Sequence, residues 1–147
     1  MLPYGPNGQN GEGNASMKEL KVVAAVIYHD GRILVTQRGY GEFKDGWEFP
    51  GGKIQDGETP EQALEREIQE ELDTRIQIDS PAARVEYDYP TFHLSMSCFW
   101  CRILTGDLTL KEHEAARWLG RDELDTVGWL PADLQLIPVL KAAWPTA

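Results

Sequence analysis

Glu67, Glu70 and Glu71 stand at i, i+3 and i+4, a spacing that makes side chains neighbours on an α-helix. On a wheel at about 100° per residue, Leu64, Ile68 and Leu72 form an apolar stripe. Glu71 falls inside that stripe, Glu67 borders it, and Glu70 lies about 50–60° further round. Gln62, Glu65, Arg66 and Gln69 fall opposite, as a solvated face should. Carboxylates turned toward a core cost free energy unless they are paired or bound to metal. Three such charges repel one another unless a cation sits among them. Hard cations such as Mg²⁺ take oxygen ligands and commonly bridge to substrate phosphates. The plainer alternative is a solvated acidic face in which Arg66 pairs with Glu70; the inward placement favours the metal.

The other candidate chemistry is the pair Cys98 and Cys101, spaced CxxC. They lie in Leu94–Ile103, which reads as a strand, and positions three apart in a strand face opposite sides. No second CxxC or His pair completes a zinc site. The pair is expected to be structural, in a reducing cytoplasm.

The acidic helix needs elements to hold it. Thr59-Pro60-Glu61-Gln62 is a helix start, with Thr59 as N-cap, Pro60 first in the helix and Gln62 as capping-box partner. The helix should end near Leu72, with Asp73 in the left-handed cap conformation. Ahead of it, Val22–Tyr28 reads as a buried strand, Asp30-Gly31 as a hairpin turn and Arg32–Gln37 as the returning strand. Arg38–Gly46 reads as a loop, Trp47–Pro50 as short and extended, and Gly51-Gly52 as backbone open to unusual angles. After it, strands are expected at Arg75–Ile78, Ala83–Tyr89, His93–Leu104 and Ala116–Leu119, then a helical turn at Arg121–Leu124. A last helix covers Pro131–Ala143; Pro138 either kinks it or marks a later start near Ile137.

The 147 residues suit one domain, and 41% hydrophobic with 26% charged is ordinary for a soluble fold. Mixed strands with two separated helices suggest one α/β sandwich. No apolar run is long enough to span a membrane, and no signal peptide is evident. Residues 1–16, rich in Gly, Asn and Pro, read as a disordered leader or as a foreign extension ahead of a start at Met17. A formal charge of −10 disfavours polymeric nucleic acid, which needs a basic face, but not a small nucleotide that arrives with metal ions.

The run Gly52-Lys-Ile-Gln-Asp-Gly-Glu58-Thr-Pro-Glu-Gln-Ala-Leu-Glu-Arg66-Glu67-Ile68-Gln-Glu70-Glu71 resembles the Nudix box. That pattern runs Gly, five residues, Glu, seven residues, Arg-Glu, an aliphatic, any residue, Glu-Glu, any residue, Gly, aliphatic. The match is complete through Glu71. It then departs, with Asp73 in place of Gly and Thr74 in place of an aliphatic, both beyond the acidic cluster. Trp47-Glu-Phe-Pro-Gly-Gly, Glu86-Tyr-Asp-Tyr-Pro90 and Leu130-Pro-Ala-Asp133 are similar to segments of the MutT-like branch. That branch includes 8-oxo-dGTP diphosphatases and CTP pyrophosphohydrolases. The likeness spans Lys21 to Leu140.

The resemblance implies a Nudix-type α/β/α sandwich over residues 17–147, with a mixed sheet and a loop–helix–loop catalytic motif. It implies a hydrolase that splits a nucleoside triphosphate into monophosphate and pyrophosphate using Mg²⁺, with Mn²⁺ as a substitute. Glu67, Glu70 and Glu71 match its metal ligands, joined by a carbonyl of Gly51 or Gly52. Glu58 and Arg66 match the pair that braces loop against helix. Glu112 falls where a further Glu stands near the metals, as ligand or general base, with Glu114 competing. Arg38 matches an Arg that approaches the nucleotide. Asp133 stands where 8-oxo-dGTP enzymes carry a base-reading Asn, and Phe92 where one has a second Arg. An ionised Asp only accepts hydrogen bonds, so the cytosine amino group is a suitable partner; Asp133 also reads as a helix N-cap. Tyr40, Phe43, Trp47, Tyr89, Phe92 and Trp129 are candidates for stacking on a base. Other readings are a Nudix hydrolase of ADP-ribose or another nucleoside diphosphate derivative, and a noncatalytic nucleotide sensor. Monomer and homodimer are both open.

Overall fold

The central strand β1, Lys18–His29, alternates between two cores. Val22, Ala24 and Val26 enter one hydrophobic cluster; Val23, Ala25 and Ile27 enter the other. A strand buried on both faces needs an almost continuous apolar run, which Val22–Ile27 supplies. The computed structural model describes residues 18–106, 108–109 and 113–146. The leader expected over residues 1–16, and Glu112, lie outside them.

Around β1 the chain builds a mixed sheet. β2 (Arg32–Arg38) returns antiparallel from β1. The turn between them places Asp30 and Gly31 at φ 54° and 82°, the left-handed pair that a tight hairpin needs. β3 (Trp47–Glu48) pairs with β2, and β4 (Gly51–Lys53) pairs with β1. β5 (Thr74–Tyr89) and β6 (Phe92–Gly106) form a long hairpin, and β6 runs parallel to β1. β7 (His113–Gly120) pairs with β2. The main order is β3-β2-β1-β6-β5.

Two helices cover the sheet on opposite faces. Helix α1 (Pro60–Leu72) packs Ala63, Leu64, Ile68 and Leu72 against one face of β1. Helix α2 (Pro131–Ala142) packs Ala132, Leu136, Ile137 and Leu140 against the other. The expected α/β/α sandwich is what forms. No helix among the described residues is long and apolar enough to cross a membrane.

Three expectations change. Arg75–Ile78 and Ala83–Tyr89 are one strand rather than two. β5 ends the main strand order, and irregularities between Ile78 and Ser80 and between Pro81 and Ala83 absorb the proline. Arg38 belongs to β2 rather than to the loop. Helix α2 starts at Pro131, so the later start near Ile137 is excluded; Pro138 sits inside the helix on its exposed side. The cysteines behave as the strand period requires: Cys98 is buried in one core and Cys101 in the other.

Asp73 closes α1 at φ 53° and ψ 44°, where a glycine avoids a Cβ penalty. Its carboxylate accepts a hydrogen bond from Gln69 Nε2 at 3.0 Å, which offsets part of that cost. Asp73→Gly is therefore expected to stabilise the fold by about 0.5 kcal/mol. Urea unfolding checks this; a lower midpoint would show that the Gln69 bond outweighs the backbone strain.

Candidate active site

The acidic helix begins where its sequence says it should. The Thr59 side chain accepts from the Gln62 N–H at 3.1 Å, and the Thr59 N–H donates to the Gln62 side chain at 3.0 Å. This reciprocal cap fixes the first turn and hence the rotation of everything after it. Arg66 then ties the helix to the preceding loop. Its Nε and one terminal nitrogen grip both oxygens of Glu58 at 2.7 and 3.0 Å, and the same nitrogen reaches the Lys53 carbonyl at 2.9 Å. Glu58 is held below the usual carboxylate range, first by Arg66 and then by the Gln55 N–H. The other terminal nitrogen of Arg66 donates to Glu67 at 3.0 Å and to Glu70 at 3.2 Å. One guanidinium thus serves three carboxylates.

The burial of the glutamates follows the helical wheel. Glu71 is 1% exposed and Glu67 is 6% exposed, while Glu70 lies outward. Gly52 lies directly against Glu67, and a Cβ at Gly52 would overlap its carboxyl group. Gly51 is pressed onto β1, where a Cβ would overlap the Val23 carbonyl. Both glycines are required by close approach, so β4 backbone and helix carboxylates meet without an intervening side chain.

This donor set fits a divalent cation. It offers hard oxygen atoms, excess negative charge, and a backbone strand laid against a buried carboxylate. Glu67 and Glu71, with the outward Glu70 and a Gly51 or Gly52 carbonyl, are the residues that would hold it. Among the described residues a different grouping has its ligand atoms mutually within 4.8 Å: Glu19, Glu86 and His93. It is a surface cluster already engaged in ion pairs. His93 bonds Asp88 at 2.5 Å and Glu86 at 2.7 Å, which push its pKa up.

The opposite core layer holds a second set of buried charges. Arg38 and Glu48, each 1% exposed, pair at 2.7 Å. Asp133 is fully buried, and its Oδ1 accepts the Phe49 N–H at 3.0 Å. Among the described residues its buried Oδ2 has no hydrogen-bond partner. Burial first, and then the Glu48 charge, push Asp133 up to about 8. One expectation falls here. The N-cap of α2 is Leu130, not Asp133, which lies three residues further in. Burial and the Glu48 charge thus favour the neutral carboxylic acid at Asp133 over the ionised acceptor.

The aromatic candidates are mostly core. Tyr89 and Phe92 are both 3% exposed and stack at 5.0 Å, and the Tyr89 hydroxyl accepts the Ala132 N–H at 3.1 Å. Trp47 is buried beneath the Arg117 guanidinium, 5.2 Å from its ring centre. Phe43 packs on Tyr89, and Trp129 stacks on Phe49 at 4.9 Å. Tyr40 stays exposed. The two charged sets are joined by a short stretch. Phe49 touches Asp133 in the α2 layer, and Gly52 touches Glu67 in the α1 layer. Sequence reasoning missed Glu48. Its signal was an acidic residue between two large aromatics in an extended segment.

Comparison with known proteins agrees with this architecture. The NUDIX domain family model matches residues 18–140. The chain is 35% identical over 122 residues to an 8-oxo-dGTP diphosphatase of Haemophilus influenzae, covering 82% of this chain and 90% of that protein. It is 34% identical over 133 residues to a CTP pyrophosphohydrolase of Escherichia coli, covering 88% and 98% respectively. The solution structure of the E. coli ORF135 protein superposes with a TM-score of 0.75 at 33% identity, covering 91% of this chain and 99% of that one.

The buried acid has a thermodynamic signature. Between its ordinary value of 3.8 and its folded value of about 8, folded Asp133 holds a proton that the unfolded chain has released. Stability therefore falls as pH rises through that window. Asp133→Asn keeps the shape and the acceptor for Phe49 but carries no charge. The variant is expected to gain on the parent by roughly 1.4 kcal/mol per pH unit between about pH 4 and 8, several kcal/mol by pH 9, with the difference vanishing near pH 4. Urea unfolding across that range checks it; a parent curve parallel to the variant's would refute the buried neutral acid.

Proposed function

The chain belongs to the Nudix family, and from that premise we propose that it is a Mg²⁺-dependent nucleoside triphosphate pyrophosphohydrolase. The reaction is triphosphate plus water giving monophosphate and pyrophosphate. The observation that carries this reading is the meeting of Glu67 with Gly52 on the core side of α1, beside the buried Glu71. It supports a divalent-metal site of oxygen ligands, and the activities named for the two relatives of about one-third identity support the triphosphate substrate.

Glu67, Glu70 and Glu71, with a Gly51 or Gly52 carbonyl, hold the cation in this reading. When bound, Mg²⁺ lowers the pKa of the attacking water and neutralises charge on the phosphates. Arg66 and Glu58 keep the helix and loop in register, so that Glu67 stays against Gly52. One carboxylate takes the proton from water; Glu112 and the helix glutamates are the candidates. Arg38, Asp133, Tyr89, Phe92 and Trp47 form the layer proposed to meet the base, on the far side of the Phe49–Gly52 crossing. A small acidic protein suits a small nucleotide better than a polymer.

Pyrophosphate release is to be measured with Mg²⁺ over CTP, dCTP, 8-oxo-dGTP, the other ordinary triphosphates and ADP-ribose. Release from at least one triphosphate is expected; none from any would overturn the reading, and cleavage of ADP-ribose alone would replace it. Glu67→Gln and Glu71→Gln each remove a charge with little change of shape. Each is expected to lower kcat at least about a hundredfold with the fold intact. Near-normal turnover in either would remove that residue from the metal site. In H₂¹⁸O, label is expected in pyrophosphate, since the MutT-like resemblance implies attack at the β-phosphorus; label in the monophosphate would place attack at the α-phosphorus.

A further inference from the structure

Three strands bring chemistry-bearing side chains together beyond the acidic helix. Glu19 on β1 is in register with His93 on β6, His93 with Asp88 on β5, and Ser95 with Glu86. Alternation along each strand puts these side chains on one face of the sheet, the reverse of the face where Leu20 and Leu94 are buried. One ligand atom each from Glu19, Glu86 and His93 lies within 4.8 Å of the other two. Glu19 and Glu86 are exposed, and His93 is half-buried. Val23, which pairs with Gly52, follows Glu19 on the same face of β1, about 13 Å along the strand. This grouping is therefore separate from the carboxylates of α1.

The grouping is organised around an imidazole. Asp88 holds His93 Nδ1 at 2.5 Å, and Nε2 faces Glu86 Oε1 at 2.7 Å. A carboxylate on one ring nitrogen that aims the other is the arrangement that orients metal-bound histidines. Glu86 is fixed as well. Its Oε2 accepts from Arg84 Nε and from Ser95 Oγ, both at 2.9 Å, which leaves Oε1 toward the ring. The Glu19 carboxylate completes the set, and among the described residues it has no hydrogen-bond or ion-pair partner.

We propose that His93, Glu86 and Glu19 form a separate cation site, for a divalent ion of the Zn²⁺ class, that ties the β5–β6 hairpin to the start of β1. The inference does not depend on the triphosphate reading above. One imidazole with two carboxylates suits Zn²⁺, whereas Mg²⁺ takes oxygen ligands. Ligands at zinc bond lengths and tetrahedral angles stand about 3.4 Å apart. The Nε2–Oε1 pair at 2.7 Å therefore opens by about 0.7 Å, and Glu19 closes by about 1.4 Å at most, from the 4.8 Å limit. Both acids are exposed and have room to make those movements. The ion takes the place of the proton between Nε2 and Glu86, and that proton leaves to solvent. Water fills the remaining position, as an exposed three-ligand site allows. Asp88 and His93 flank Tyr89 and Phe92, so an ion held here clamps the hairpin end that carries this stacked pair.

The test is ¹H–¹⁵N NMR of the imidazole nitrogens in the intact protein, titrated with Zn²⁺ in excess Mg²⁺, which competes for the oxygen ligands of α1. His93→Gln assigns the His93 signals. Zn²⁺ is expected to shift His93 Nε2 while Nδ1 keeps its proton toward Asp88. An Nε2 signal unmoved by Zn²⁺ overturns the proposal, and this result needs no variant to fold. Equilibrium dialysis under the same Mg²⁺ supplies the affinity. Glu19→Gln and Asp88→Asn are each expected to weaken Zn²⁺ binding by about tenfold or more, the first by loss of a ligand and the second by loss of the group that aims the ring. Zn²⁺ uptake unchanged in His93→Gln places the ion elsewhere and overturns the site; affinity unchanged in Glu19→Gln overturns its three-ligand form. Zn²⁺ is also expected to raise the Tm of the unaltered protein and not that of His93→Gln, because the ion binds only the folded arrangement of the three strands. An equal rise in both overturns the clamp. Hydrolysis of triphosphates does not enter any of these readouts.

Discussion

Arg66 is the joint on which the acidic site depends. Its five hydrogen bonds run to Glu58, the Lys53 carbonyl, Glu67 and Glu70. A planar guanidinium can grip a carboxylate with two nitrogens and still have donors to spare, which an ammonium cannot do with fixed direction. That geometry converts a helix and an irregular loop into one rigid piece. Without it, Glu67 has no reason to stay against Gly52, and the donor set loses its shape before it loses any ligand.

The rest of the fold serves to hold that piece against the sheet. Leu64, Ile68 and Leu72 seat α1 on β1, while β4 brings Gly51 and Gly52 up from the same strand. The core on this side is small, with Val23, Ala25 and Ile27 beneath the helix. Close packing there leaves little freedom for the helix to turn. The inward glutamates are therefore fixed by apolar contacts on either side of them, and the charge that disfavours burial is oriented by the groups that favour it.

The other face of β1 repeats this theme with different chemistry. Arg38, Glu48 and Asp133 bring buried charge into an aromatic layer built from Phe49, Tyr89, Phe92 and Trp129. Here burial, and then the Glu48 charge, raise the Asp133 pKa and favour its protonated form. The stretch from Phe49 to Gly52 passes between the layers. A change on one side thus has a short backbone path to the other.

Much of this was legible in the residues alone. The capping box at Thr59 and Gln62, the inward turn of Glu71 and the left-handed Asp73 are local consequences of helix geometry, and the structure reproduces each. The apolar run of β1 and the Asp30-Gly31 turn are equally local. The sequence likewise determined the family, through a motif whose glycines and charges have fixed spacing. Tertiary structure decided what depends on partners distant in the chain. It joined the halves of β5, because an edge strand tolerates a proline and bulges that a central strand would not. It buried Arg38 on Glu48, and it placed Asp133 against a peptide 84 residues away. The protonation of Asp133 belongs to this second class. Burial and a neighbouring charge set it, and neither can be read from a side chain until the chain has folded around it.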